Sequence, residues 1–179
     1  AFQKKAGAAA MKRARRFFTP RKKKFMTQFY AHPVSREIGA GKDSGNTSGV
    51  ILGAGNLFSF IGFNSGDRPV ETLGAFLDSF ITLEKFKYDK KKGEWKFRVR
   101  IPSRQEITAI SPIPWQGGSS WAYEIEKGIA GIGNYLQVNS VRSRSGGGVQ
   151  VAHQVRTPTA TRSKYLGTML RDLRRNLKK

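Results

Sequence analysis

ITLEKFKYDKKKGEWKFRVRI, residues 81–101, is the stretch whose reading decides the fold. Apolar and polar residues alternate with period two on both sides of DKKKG (89–93), which predicts an antiparallel hairpin with a charged tip and one wet face. Ile81 and Leu83 fall on a different face from Phe86 and Tyr88, so a bulge or register change is expected between them. Just upstream, Val70, Leu73, Leu77 and Phe80 recur at three- and four-residue spacing and predict a helix over roughly 68–80. Asp67 is the expected N-cap, with Pro69 and Glu71 in the first turn. LFSFIGF (57–63) alternates large side chains and reads as a buried strand. Strands and helices mixed in this way indicate an α+β protein, a small mixed or antiparallel sheet packed by helices.

Working outward, Pro112 and Pro114 make residues 107–115 an extended or edge segment. Ser120 is placed to cap a helix on which Trp121, Ile125 and Ile129 share a stripe, and Gly128, Gly131 and Gly133 should end it. Short strands are expected at 135–138 and 149–155, the second within a basic Gly/Ser-rich arm. From Ser163, a candidate cap, Tyr165, Leu166, Met169, Leu170, Leu173 and Leu177 define the apolar face of a last helix. Toward the start, residues 6–18 favour a helix that Pro20 should end, while 24–31 fit helix or strand equally. Residues 35–56 are glycine-rich and read as a long loop, functional or ordered by a partner.

The charge is unevenly spread. The chain of 179 residues carries a formal net charge of +21. Residues 1–24 hold ten Lys/Arg and no acid, residues 25–139 net only +2, and residues 140–179 net +9. Three segments follow: a basic N-terminal helix or arm (1–34), a central α+β domain (35–139) and a basic extended arm with a C-terminal helix (140–179). A charge this large is expected to meet a polyanion. Lys12, Arg13, Arg15, Arg16, Arg21, Lys22, Lys23 and Lys24 at one end are the candidate contacts to nucleic acid or an acidic partner. Arg142, Arg144, Arg171, Arg174 and Arg175 are the candidates at the other. Such contacts would be independent of sequence and sensitive to salt. Against them stands the plainer reading of a solvated charged face.

Signals for chemistry are weak. Cysteine is absent, which excludes disulfides and thiolate metal sites. His32 and His153 are far apart, and Glu124 and Glu126 point to different helix faces. GAGK (39–42) fails as a phosphate loop because Arg36 stands at the first glycine position and Asp43 at the hydroxyl position. GAG (53–55) lacks the rest of a dinucleotide fingerprint. The expectation is a protein that is not an enzyme, with no cofactor, no metal and no membrane span. Trp115 and Trp121, beside Gly/Ser segments, and Tyr165 and Leu166 are the expected assembly contacts.

GNLFSFIGFNSGDRPVETL (55–73), FRVRIPSRQEI (97–107) and above all PIPWQGGSSWAYEIEKGIAGIGNYL (112–136), followed by SRSGGG (143–148), resemble virion structural proteins of tailed bacteriophages. The likeness is to the small proteins of the head–tail junction, of neck or tail-completion type, and covers roughly residues 50–150. It implies a protomer repeated as a ring around the DNA conduit. Its partners would be further copies of itself, neighbouring neck, portal or tail proteins, and packaged DNA contacted without sequence preference. Its place would be the virion, assembled in the host cytoplasm. The region 36–46 departs from the short Arg-Thr-Gly turn of the commonest tail-completion pattern, so the ring position stays open. A ribosomal or other RNA-binding structural protein would explain the basic ends equally well, and the nearly neutral, strand-rich centre less well.

Overall fold

The computed structural model describes residues 2–51, 55–114, 116–127, 134–137, 142–154 and 163–178. Helix α1 (Phe2–Ala31) and helix α2 (Pro33–Gly39) lead into a short 3-10 turn (Gly41–Asp43), then α3 (Leu57–Ile61) and α4 (Pro69–Phe80). The hairpin follows as β1 (Thr82–Asp89) and β2 (Glu94–Arg100), then α5 (Arg104–Ile110), β3 (Pro112–Ile113), β4 (Gln116–Ser120) and α6 (Trp121–Lys127). The chain closes with β5 (Asn134–Gln137), β6 (Val149–Gln154) and α7 (Leu166–Leu177). The class is α+β, as expected, but the strands form three separate antiparallel pairs, β1–β2, β3–β4 and β5–β6, rather than one sheet. Helices therefore supply most of the core.

The first helix runs 30 residues and passes through Pro20, where the sequence predicted an end. Proline removes one helical hydrogen bond and crowds the preceding turn, at about 3 kcal/mol. Phe18 and Phe25, seven residues apart on one stripe, are both buried, and Phe29 completes that stripe. Burying each large side chain contributes about 1.5–3 kcal/mol, which outweighs the proline. Arg21 Nη1 also donates to the Phe17 carbonyl at 2.9 Å, beside the interrupted ladder. The boundary drawn at residue 34 falls inside α2, where Val34 and Ser35 are both buried. N-terminal segment and centre thus share one core.

Residues 57–61 are a helix rather than the expected strand. All five are buried, so no polar face betrays the period, and capping decides the conformation. Asn56 Oδ1 accepts the Ser59 N–H at 2.9 Å, and Gly62, at φ 85°, turns the chain out through the left-handed region. Residues 107–110, the start of the segment 107–115 expected to be extended, lie in helix α5 instead. Ser103 and Glu106 close a capping box: the Ser103 hydroxyl accepts from the Glu106 N–H, and Glu106 Oε2 accepts from the Ser103 N–H at 2.7 Å. Helix α4 starts as foreseen but is not capped by Asp67, whose carboxylate instead accepts the Asn64 N–H at 2.7 Å. Ser120 does not open a helix through its hydroxyl either. It bonds Ser111 Oγ at 2.6 Å, and Ser111 Oγ donates to the Ile107 carbonyl at 2.7 Å.

The described residues of the glycine-rich stretch are tied down by hydrogen bonds within the chain. Its first residues form α2, from which buried Glu37 accepts the Ser48 N–H through Oε2 and the Leu57 N–H through Oε1, each at 2.7 Å. Asn56 Nδ2 donates to the carbonyls of Lys42 and Ser44 at 2.8 and 3.0 Å. These bonds bring Val50 and Ile51 into the core. At the other end, Glu126 of α6 caps α7: its Oε1 accepts the N–H groups of Tyr165 and Thr168 at 2.8 and 2.9 Å. Gly167 sits between those two residues because a Cβ there would lie 2.3 Å from Glu126 Oε2. The last helix has the stripe read from the sequence, with Tyr165, Leu166, Leu170 and Leu173 buried.

Candidate nucleic-acid interface

The basic ends, 155 positions apart in sequence, meet in space. Arg21 Nε donates to the Asn176 carbonyl at 3.1 Å, and α1 packs along α7. Each helix turns its apolar stripe inward, so its cations face out. On α1, Lys12, Arg13, Arg15, Arg16, Lys23 and Lys24 are exposed. On α7, Arg171, Arg174 and Arg175 are exposed. One basic face therefore stands where the sequence suggested two arms.

Not every candidate is equally available. The Arg21 guanidinium lies 3.4 Å from the Phe17 ring centroid in addition to its two carbonyl bonds. Lys22 pairs with Asp78 of α4 at 3.0 Å. Both are half-buried and tie α1 to its neighbours, so the exposed cations on either side of them carry the outward charge. Arg175 pairs with Asp172 at 2.9 Å, and Arg174 reaches the Pro102 carbonyl at 3.4 Å. At the surface such pairs are weak and exchange readily with phosphate.

Arg142 and Arg144 do not join this face. They are exposed on the turn 142–148, which docks on α3 through a hydrogen bond from Ser145 Oγ to Ser59 Oγ at 2.8 Å. Ser143 Oγ closes the turn by donating to the Gly148 carbonyl at 2.7 Å. The chain passes so near that a Cβ on Gly147 would fall 2.3 Å from Ser59 Oγ.

Three of the four expected assembly contacts lie inside the chain. Trp121, Tyr165 and Leu166 are 1%, 0% and 0% exposed and belong to the core. Their place beside Gly/Ser segments suggested a surface, but α1, α6 and α7 close over them. Trp115 lies outside the described residues.

His32 has a structural part to play. Its Nδ1 accepts the Val34 N–H at 3.2 Å as the cap of α2, so the neutral ring carries its proton on Nε2 and donates it to the Lys164 carbonyl at 2.9 Å. Burial lowers its pKa below the ordinary 6.5, against smaller upward pulls from the Lys164 carbonyl and the Glu126 carboxylate. The unfolded chain therefore takes up this proton first as pH falls. The contribution is complete above pH about 6.5 and is lost as pH drops toward the folded value. Melting temperature is expected to fall between pH about 7.5 and about 5.5. His32→Asn, which keeps a capping oxygen, should flatten that slope; parallel profiles would refute the role. The side chain of His153 is not described.

Among the described residues, no group of three or more His, Cys, Asp or Glu could hold a metal, and no helix is long and apolar enough to cross a membrane. What the geometry offers is a broad cationic face on two packed helices. No protein-family model, curated protein or solved structure matches the chain.

Proposed function

We propose that the protein is a structural component of a tailed-phage virion, repeated as an oligomeric ring at the head–tail neck or tail end and docked to neighbouring virion proteins. The observation that carries the reading is the joint basic face of α1 and α7, formed by helices whose apolar stripes share one core. Such a cationic face suits a conduit wall, where DNA phosphates pass without being read in sequence. The sequence likeness to head–tail junction proteins supplies the ring. In this reading the protein acts by assembly and by neutralising phosphate, with further copies, neck, portal or tail proteins and DNA as partners.

Sedimentation velocity together with duplex-DNA binding at two salt levels tests it. Self-association, or co-assembly with a neighbouring virion protein, is expected. With roughly six phosphate contacts, DNA affinity should fall about a thousandfold between ~50 and ~200 mM salt. A stable monomer that binds structured RNA tightly and selectively would overturn the reading in favour of an RNA-binding protein.

A further inference from the structure

The nearly neutral centre is an average of two unlike parts. Residues 82–100 hold eight Lys/Arg against three Asp/Glu, whereas the rest of 25–139 holds five against eight. The β1–β2 ribbon is thus a third basic unit, separate in sequence from both ends. Its register sorts its side chains onto two faces. Leu83↔Val99 and Tyr88↔Trp95 lie on one, while Thr82↔Arg100, Glu84↔Arg98, Lys87↔Lys96 and Asp89↔Glu94 lie on the other. On the apolar face Leu83 and Val99 pack on the core, and farther out the Tyr88 and Trp95 rings meet at a tilt of 51°, their centroids 5.0 Å apart. The ribbon is therefore anchored at its base, and strands of this length carry its tip roughly 20 Å outward.

The tip is held in shape. Asp89 Oδ1 accepts the N–H groups of Lys91 and Lys92 at 3.1 and 3.3 Å, and Gly93 takes the left-handed φ of 67° that closes the turn. The other oxygen of Asp89 pairs with Lys96 at 2.8 Å. This leaves Lys90, Lys91 and Lys92 exposed and, among the described residues, facing no carboxylate. Arg98 and Arg100 extend the exposed cations along the same polar face toward α5, where Arg104 begins the helix.

We propose that this ribbon is a duplex-DNA contact element, gripping phosphates through Lys90, Lys91 and Lys92 at its tip, with Arg98 and Arg100 behind them. Two features select the partner. Among the described side chains the ribbon's polar face, where Lys87, Lys96, Arg98 and Arg100 alternate with Glu84, Asp89 and Glu94, carries no large apolar residue that could form the centre of a protein interface, and lysine is depleted in such interfaces. The Tyr88–Trp95 pair lies on the face opposite Lys87, Lys96, Arg98 and Arg100, so a single strand tracking those cations would not stack its bases on that pair. Phosphates of a duplex need neither. The inference does not require a ring, and it assigns binding to residues outside both basic ends.

The test uses the full chain and a labelled mixed-sequence duplex of about 30 base pairs, titrated across salt. Changing Lys90, Lys91 and Lys92 together to Gln is expected to weaken binding at least about tenfold at low salt. It should also reduce the slope of log K against log salt by about 2–3, near 0.9 per lost contact. A second variant, Lys12, Arg13, Arg15 and Arg16 to Gln, reports on the α1 face. If only this second variant loses affinity, the ribbon inference falls while the proposed function stands. If only the tip variant loses affinity, the ribbon holds and the helical face is refuted. No duplex binding by the unaltered protein, equal competition by polyglutamate, or tighter binding to a single strand of the same length would each overturn the ribbon assignment.

Discussion

Replacing Tyr165 with alanine is expected to lower the unfolding free energy by about 3–5 kcal/mol, measured by urea denaturation. The ring is fully buried and lies 6.2 Å from Phe29 of α1, 5.0 Å from His32 and 6.2 Å from Trp121 of α6. Its hydroxyl meets Ser35 Oγ of α2 at 2.8 Å, and its backbone opens α7. One side chain therefore joins four helices, and removing it leaves a cavity that no single neighbour can fill. Burial also holds the phenol well above its ordinary pKa, so it stays neutral at any pH where the fold survives. Tyr165→Phe should cost about 1–2 kcal/mol, since Ser35, 2% exposed, loses its partner. A double-mutant cycle with Ser35→Ala isolates that bond. A loss below about 1 kcal/mol for the alanine variant would refute the central role of Tyr165.

The same residue shows what the sequence could and could not reveal. Its stripe with Leu166, Leu170 and Leu173 was legible because one wet face makes a period visible. The hairpin was legible for the same reason, including its irregularity, which the register places between Lys85 and Lys87. Helix α3 was not, because all its residues are buried and a short apolar run has no period to display. The signal that could have found it was Asn56 before the run and Gly62 after it. Helix α5 has a clearer local signal, Ser103 and Glu106 at capping-box spacing, which competes with the extended preference of the prolines at 112 and 114 just downstream.

Partners of an apolar stripe are a different matter, since period tells which side is buried and never against what. Phe18, Phe25 and Phe29 were on the page as aromatics, but nothing local said that they would meet α7 and make one face of two basic ends. Averaging over a long segment hides where charge lies. Acids in α4 and α6 cancel the ribbon lysines in a sum over 25–139, although they lie on other elements. A polyanion senses local charge within about a Debye length, ~10 Å, so summing charge element by element is the physically relevant count.

Glu37→Gln is expected to cost about 3 kcal/mol, nearly as much as Glu37→Ala, despite the matched shape. Both oxygens of the buried carboxylate accept backbone N–H groups, Oε2 from half-buried Ser48 and Oε1 from buried Leu57. An amide has only one acceptor oxygen, so its NH₂ must face one of the two N–H donors and leave both unsatisfied. Each hydrogen bond to a charged acceptor contributes about 1.5–3 kcal/mol, and an orphaned buried donor costs a similar amount. The damage should begin locally. Amide exchange at Ser48 and Leu57 is expected to accelerate, because residues 44–56 lose their tie to α2, while amides in the middle of α7 keep their protection until global unfolding. A glutamine variant within about 0.5 kcal/mol of the parent, with unchanged exchange at both amides, would mean that the loop is held by Asn56 and the packing of Val50 and Ile51 instead.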